Sequence, residues 1–164
     1  MQRIFVFVVL ALCLVFLSND ALAQTATQTL SLSVVAVQQI AVSGNPGALT
    51  LNTVATIGQP NYTPATDATT NYSITQNSGV SRITAELDAN MPANTTLQVN
   101  LASTLGSTVG TVDISNTAGS AADVVTAIAN GADQNQTITY TFSGTTAATP
   151  FVGTRVVTLT LVTP

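Results

Sequence analysis

Six carboxylates are the main chemical resource downstream of residue 23: Asp67, Glu86, Asp88, Asp113, Asp123 and Asp133. Paired carboxylates hydrolyse glycosides when they lie about 5–9.5 Å apart. Glu86 and Asp88 share strand parity, which predicts two carboxyl groups about 7 Å apart on one solvated face. Few aromatic rings accompany them. The same stretch has no tryptophan, and only Tyr62, Tyr72, Tyr140, Phe142 and Phe151 are available to stack on a sugar. They therefore read as solubilising acids at a strand end. Calcium is the one metal that suits the donors present, because it takes oxygen from carboxylates, amides and carbonyls. Asp88-Ala89-Asn90 and Asp133-Gln134-Asn135 are Asp-x-Asn pairs in predicted turns, but no twelve-residue loop with a closing glutamate occurs. Asx residues in turns commonly bond their own backbone.

The missing residue types exclude more. There is no histidine, and the single cysteine, Cys13, lies near the start. A histidine-based triad, a cysteine nucleophile and ordinary zinc or copper sites are excluded. No Gly-rich phosphate loop or Gly-x-Ser-x-Gly elbow is present. The expectation is a non-enzyme with no catalytic, cofactor-binding or metal-binding residue and no cofactor.

Residues 1–23 read as a secretory signal peptide. Arg3 supplies the positive start, Ile4 to Leu17 are unbroken apolar residues, and Ala21-Leu22-Ala23 has the small-x-small cleavage pattern. Fourteen residues rise about 21 Å as a helix, short of a ~30 Å hydrocarbon core. Leu12 before Cys13 argues against lipidation. Residues 24–164 are then one exported domain in the extracellular space, at the cell surface or in a periplasm. That domain carries two arginines, Arg82 and Arg155, against the six acids, and no lysine. A net charge of −4 without a basic patch excludes nucleic acid as a partner. No later segment is apolar enough to span a membrane. Without cysteine or lysine, the domain has neither disulfides nor lysine–asparagine cross-links to stabilise it. Four Asn-x-Ser/Thr sequences, at Asn61, Asn71, Asn94 and Asn135, matter only in a eukaryotic host.

Threonine occupies 29 positions. It is β-branched, favours strands and presents a hydroxyl on a wet sheet face. Apolar/polar alternation recurs at Ile83, Ala85 and Leu87; at Leu97, Val99 and Leu101; at Ile138, Tyr140 and Phe142; and at Val157, Leu159 and Leu161. Each set predicts a strand with one packed face. Residues 25–42 give a longer strand with a bulge or sheet switch near Val34, where the parity slips. Short strands are expected at residues 48–51 and 111–115. Residues 58–70, with Pro60 and Pro64, read as a loop. Gln76-Asn77-Ser78-Gly79 reads as a hairpin turn joining strands at residues 71–75 and 80–87. Ser120 and Asp123 form a capping-box-like pair ahead of Val124, Val125 and Ile128, predicting a short crossover helix at residues 121–129 that ends at Asn130-Gly131.

About eight strands and one helix define an all-β chain: a single immunoglobulin-like β-sandwich, with a jelly roll as the alternative. The first and last strands are expected to pair, with Leu30, Leu32, Leu159 and Leu161 in the core. The leader, the Thr29-Leu30-Ser31-Leu32-Ser33-Val34 strand, the Asn/Gly turns and the apolar last strand resemble secreted bacterial β-sandwich surface subunits, fimbrial (pilin-like) or coat-type. The paired cysteines and near-terminal tyrosine of pilins are absent, so no site residue carries over. The resemblance implies assembly by strand addition. Few charges and a hydroxyl-rich surface agree with a structural or adhesive cell-surface subunit, pairing with itself or other subunits through residues 24–35, where no lysine or arginine guards the edge. The alternative is a secreted, non-catalytic module binding glycan or protein through residues 58–70 or 102–110.

Overall fold

The computed structural model describes residues 24–163, so the signal peptide expected at residues 1–23 lies outside the described residues. The chain divides into two units, Met1–Val34 and Val35–Pro164. In the first unit, residues 24–34 form no strand or helix, and Leu30, Leu32 and Val34 are 76%, 84% and 89% exposed. This corrects the expectation that Leu30 and Leu32 enter the core.

The second unit is all-β. Its strands are β1 (Gln38–Val42), β2 (Ala65–Gln76), β3 (Ser81–Leu87), β4 (Thr95–Leu101), β5 (Ser107–Thr108), β6 (Val112–Asp113), β7 (Ala122–Ile128), β8 (Gly131–Gly144) and β9 (Val157–Val162). They form two antiparallel sheets, one of order β1-β2-β8-β4-β6 and one of order β5-β7-β3-β9, an arrangement consistent with a β-sandwich. No helix occurs among the described residues. None is therefore long and apolar enough to cross a membrane.

The alternating sets fall where their period demands. Val99 and Leu101 of β4, Ile83 and Ala85 of β3 and Ile138 of β8 are buried in one apolar cluster with Leu87, Leu97, Tyr140 and Leu161. Their odd-numbered or even-numbered partners face outward, as a pleated strand requires.

The helix expected at residues 121–129 is instead strand β7. Two bulges produce the false helical period. Ile83 pairs with Val125 while Thr84 pairs with Asp123, so Val124 is an extra residue; Ser81 pairs with Ile128, which adds another before it. Ala127 adopts φ 51° in the second bulge. Each bulge resets the parity of the strand, so Val124, Val125 and Ile128 all turn inward at a spacing that mimics a helix face.

Other boundaries differ too. Residues 48–51 form no strand, β2 begins at Ala65 inside the expected loop, and β5 lies inside the expected loop at residues 102–110. The turn at residues 76–79 crosses between sheets instead of closing a hairpin, since β2 and β3 belong to different sheets. Gln76 is 2% exposed at this crossing; its amide donates to the Ile128 carbonyl at 3.1 Å, and its Oε1 accepts from Ser81 Oγ at 3.2 Å. Residue 77 then fixes the entry to β1. Asn77 Oδ1 accepts from Val37 N at 2.6 Å, and Asn77 Nδ2 donates to the Val35 carbonyl at 3.0 Å.

The expected ladder between first and last strands is absent. β1 pairs with β2, and β9 pairs with β3. Each stands at the edge of its own sheet. One side-chain bond joins them: Gln38 Nε2 donates to the Leu161 carbonyl at 3.3 Å.

Candidate functional site

Each of the six carboxylates has a local partner. Glu86 Oε1 accepts from Gly119 N at 2.8 Å, and Asp88 Oδ1 accepts from Ala89 N at 2.9 Å and Val156 N at 3.0 Å. The two acids read as a pair thus tie down separate loops. Asp113 Oδ1 accepts from Ser115 N at 2.8 Å. Asp123 meets Arg82 Nε at 3.1 Å, with both side chains about half exposed, a pair worth little in water. Asp67 accepts from Thr69 N and Oγ1 and from Gly47 N, and the Thr69 backbone bond leads in holding its carboxyl below the ordinary value.

Asp133 is different. It is 1% exposed and accepts from Ser103 Oγ at 3.0 Å, Thr104 N and Thr104 Oγ1 at 2.8 Å, and Leu105 N at 3.2 Å. Burial pushes its pKa up, but these bonds outweigh burial and hold it below the ordinary value. A bulge in β8 places it there. Asn135 has φ 54°, and the β2–β8 register shifts between Tyr72 and Ile74. Odd-numbered Thr137 and Thr139 therefore face out while odd-numbered Asp133 faces in. This role escaped the sequence, where Asp133 reads as a turn residue.

Neither Asp-x-Asn pair converges on a point. Asp133 turns inward while Asn135 is exposed. In the other pair, the Asn90 carbonyl accepts from Arg155 Nε at 3.2 Å and Nη2 at 3.0 Å, and Asn90 Oδ1 accepts from Ala118 N at 3.2 Å. Among the described residues, no three His, Cys, Asp or Glu side chains are grouped to hold a metal ion.

The larger feature is a cleft of about 1110 Å³ on the side where β1 and β9 end their sheets. Its walls include Ile40 of β1, Tyr140 and Phe142 of β8, Val157 and Leu159 of β9, and Leu51. Residues 148–156 form one side, where Phe151 meets Phe142 edge-on at 6.4 Å between ring centroids and 78° between planes. Val157 and Leu159 are only partly buried. Thr70, 4% exposed, also lines the cleft, and its Oγ1 is buried without a hydrogen-bond partner. Burial raises the pKa of Tyr140. The cleft can receive an apolar surface beside a strand edge; it holds no acid–base or nucleophilic pair. Sequence reading missed it because it arises from β9 being an edge strand, which is a property of sheet order.

No known protein family matches the chain, and neither does any curated protein or solved structure.

Proposed function

We propose that this chain is a secreted, non-catalytic structural or adhesive subunit of a cell surface, an immunoglobulin-like sandwich that assembles through its N-terminal strand. One observation carries the reading: among the described residues β9 has no partner strand on its outer side, beside a largely apolar cleft, in a chain whose Leu30, Leu32 and Val34 alternate and are exposed. An extended segment added to an open edge gains main-chain hydrogen bonds, and its alternate side chains fill the groove. Leu30 to Val35 is six residues long, as is β9. The occupant is residues 24–35 of a second copy. No lysine lies on β9, and Arg155, the cation that lines the cleft before it, is turned to the Asn90 carbonyl, which leaves the edge receptive to another strand.

The test is deletion of residues 24–33, with molecular mass measured by light scattering. The truncated chain should stay folded, stop assembling, and bind an added peptide of residues 24–35. Leu32→Lys in that peptide should abolish its binding. A truncated chain that assembles as before, or a full chain that is monomeric at every concentration, overturns the reading.

A further inference from the structure

The centre of the outer face of the five-stranded sheet is chemically uniform. Thr137, Thr139 and Thr141 run along β8, its middle strand, with Asn71 opposite Thr137 on β2 and Asn100 and Gln98 opposite Thr139 and Thr141 on β4. Buried Ile138 and Tyr140 alternate with the threonines, so the hydroxyls stand on the outer side. One carboxylate lies on this face, at its rim: Asp113 of the edge strand β6, opposite Gln98, whose Oδ1 is engaged by Ser115 N and Oγ. The other sheet differs: Arg82 and Glu86 of β3 and Asp123 of β7 give it both signs of charge. In a chain of net charge −4, the centre of this face, on β8 and the facing positions of β2 and β4, carries no formal charge.

Each side chain of this grid both donates and accepts hydrogen bonds, as a sugar hydroxyl does and a carboxylate or ammonium group does not. The sheet holds them about 4.8 Å apart across strands and about 6.7 Å apart along them. Threonine is stiff at χ1, so little rotamer freedom is lost on contact. A face uncharged at its centre, with one carboxylate at its rim, has no complementarity to nucleic acid or to anionic lipid and little to charged protein patches. Its complement is a neutral surface dense in hydroxyls. From this the geometry points to a binding face for insoluble neutral polysaccharide, centred on Thr139. Single hydrogen bonds exchanged with water contribute about 1 kcal/mol each, so one copy binds weakly and many copies on one support bind firmly. The inference stands on this sheet face alone and requires no assembly through residues 24–35.

The full chain, coupled at high density to beads, is tested on microcrystalline cellulose, chitin and starch granules. Retention on at least one of them is expected, unchanged from about 0.1 M to about 1 M salt because no ion pair is involved. Thr139→Lys should lower retention about tenfold or more by placing a charge among neutral partners. Thr126→Lys makes the same change on β7 of the other sheet, away from the β9 edge, and should leave retention intact. Thr139→Ser keeps the hydroxyl and should retain binding, and unfolding midpoints of all three variants identify any misfolding. Retention on none of the three polysaccharides overturns the inference, as do equal losses in both lysine variants or release by salt. If Thr139→Lys instead alters only the mass of the assembled chain, the face joins copies of the protein and the polysaccharide proposal fails.

Discussion

Asp133 and Thr104 are joined twice, through the Thr104 backbone N–H and its hydroxyl, each at 2.8 Å from the carboxylate. With Ser103 and Leu105 these bonds fasten the segment after β4 to the start of β8. Asp133→Ala leaves the donors without their partner and is expected to cost about 2–4 kcal/mol, since buried unpaired groups cost about 1–3 kcal/mol each and the loop relaxes in part. Denaturant unfolding measures the loss.

Acid should find the same carboxylate. Its folded pKa lies below its ordinary value, so the unfolded chain binds the proton more readily. The stabilisation is present above the ordinary carboxylate range and is lost as pH falls through the folded value. Unfolding midpoints should therefore drop between about pH 5 and about pH 2. Asp133→Asn should start lower and fall less steeply over that interval, with Asp67 supplying part of the remaining slope.

Gln76 tests the crossing between sheets. Its amide N–H is the group that meets the Ile128 carbonyl. Gln76→Glu replaces that donor with a carboxylate at neutral pH, and the expected loss is about 2–4 kcal/mol. Protonation restores an O–H donor, so the deficit relative to the parent chain should shrink in acid. Paired thermal scans at the two pH values decide it.

Gly106 packs against β7. A Cβ there would lie 2.7 Å from Ile128 Cγ1 and 2.9 Å from the Thr126 carbonyl oxygen. Gly106→Ala should destabilise by about 1–3 kcal/mol through overpacking, read from the same denaturation curve.

Leu101 and Leu32 separate fold from assembly. Leu101 is fully buried, and Leu101→Ala should cost about 2–5 kcal/mol. Leu32 is 84% exposed, so Leu32→Ala should change subunit stability by less than about 0.5 kcal/mol. On the proposed function, its effect appears in assembled mass.

The sequence exposes β3, β4, β9 and the second half of β8 because each keeps a two-residue apolar period, in β8 from Ile138 to Phe142, beyond its bulge. It conceals β7 because two bulges convert strand parity into the spacing of a helix face. Turn chemistry at Asn77 and Gly79 signals a reversal of the chain but not the sheet that the next strand joins. Leu30 and Leu32 have the alternation of a buried strand, yet both are exposed, because alternation alone does not fix whether a segment joins a sheet. The inward turn of Asp133 depends on one backbone angle at Asn135, and the cleft depends on sheet order. Composition registers neither.

The bond from Gln38 to the Leu161 carbonyl brings the beginning of β1 beside the end of β9. The backbone of this unit is thus nearly a ring. A short linker from residue 163 back to residue 37 would close it, and new ends could be opened at Gly119, an exposed turn position with φ +76° and nothing within 4 Å of an added Cβ. Folds whose ends meet tolerate such reconnection, and they can also be inserted whole into a loop of another protein without separating the two ends of the host loop.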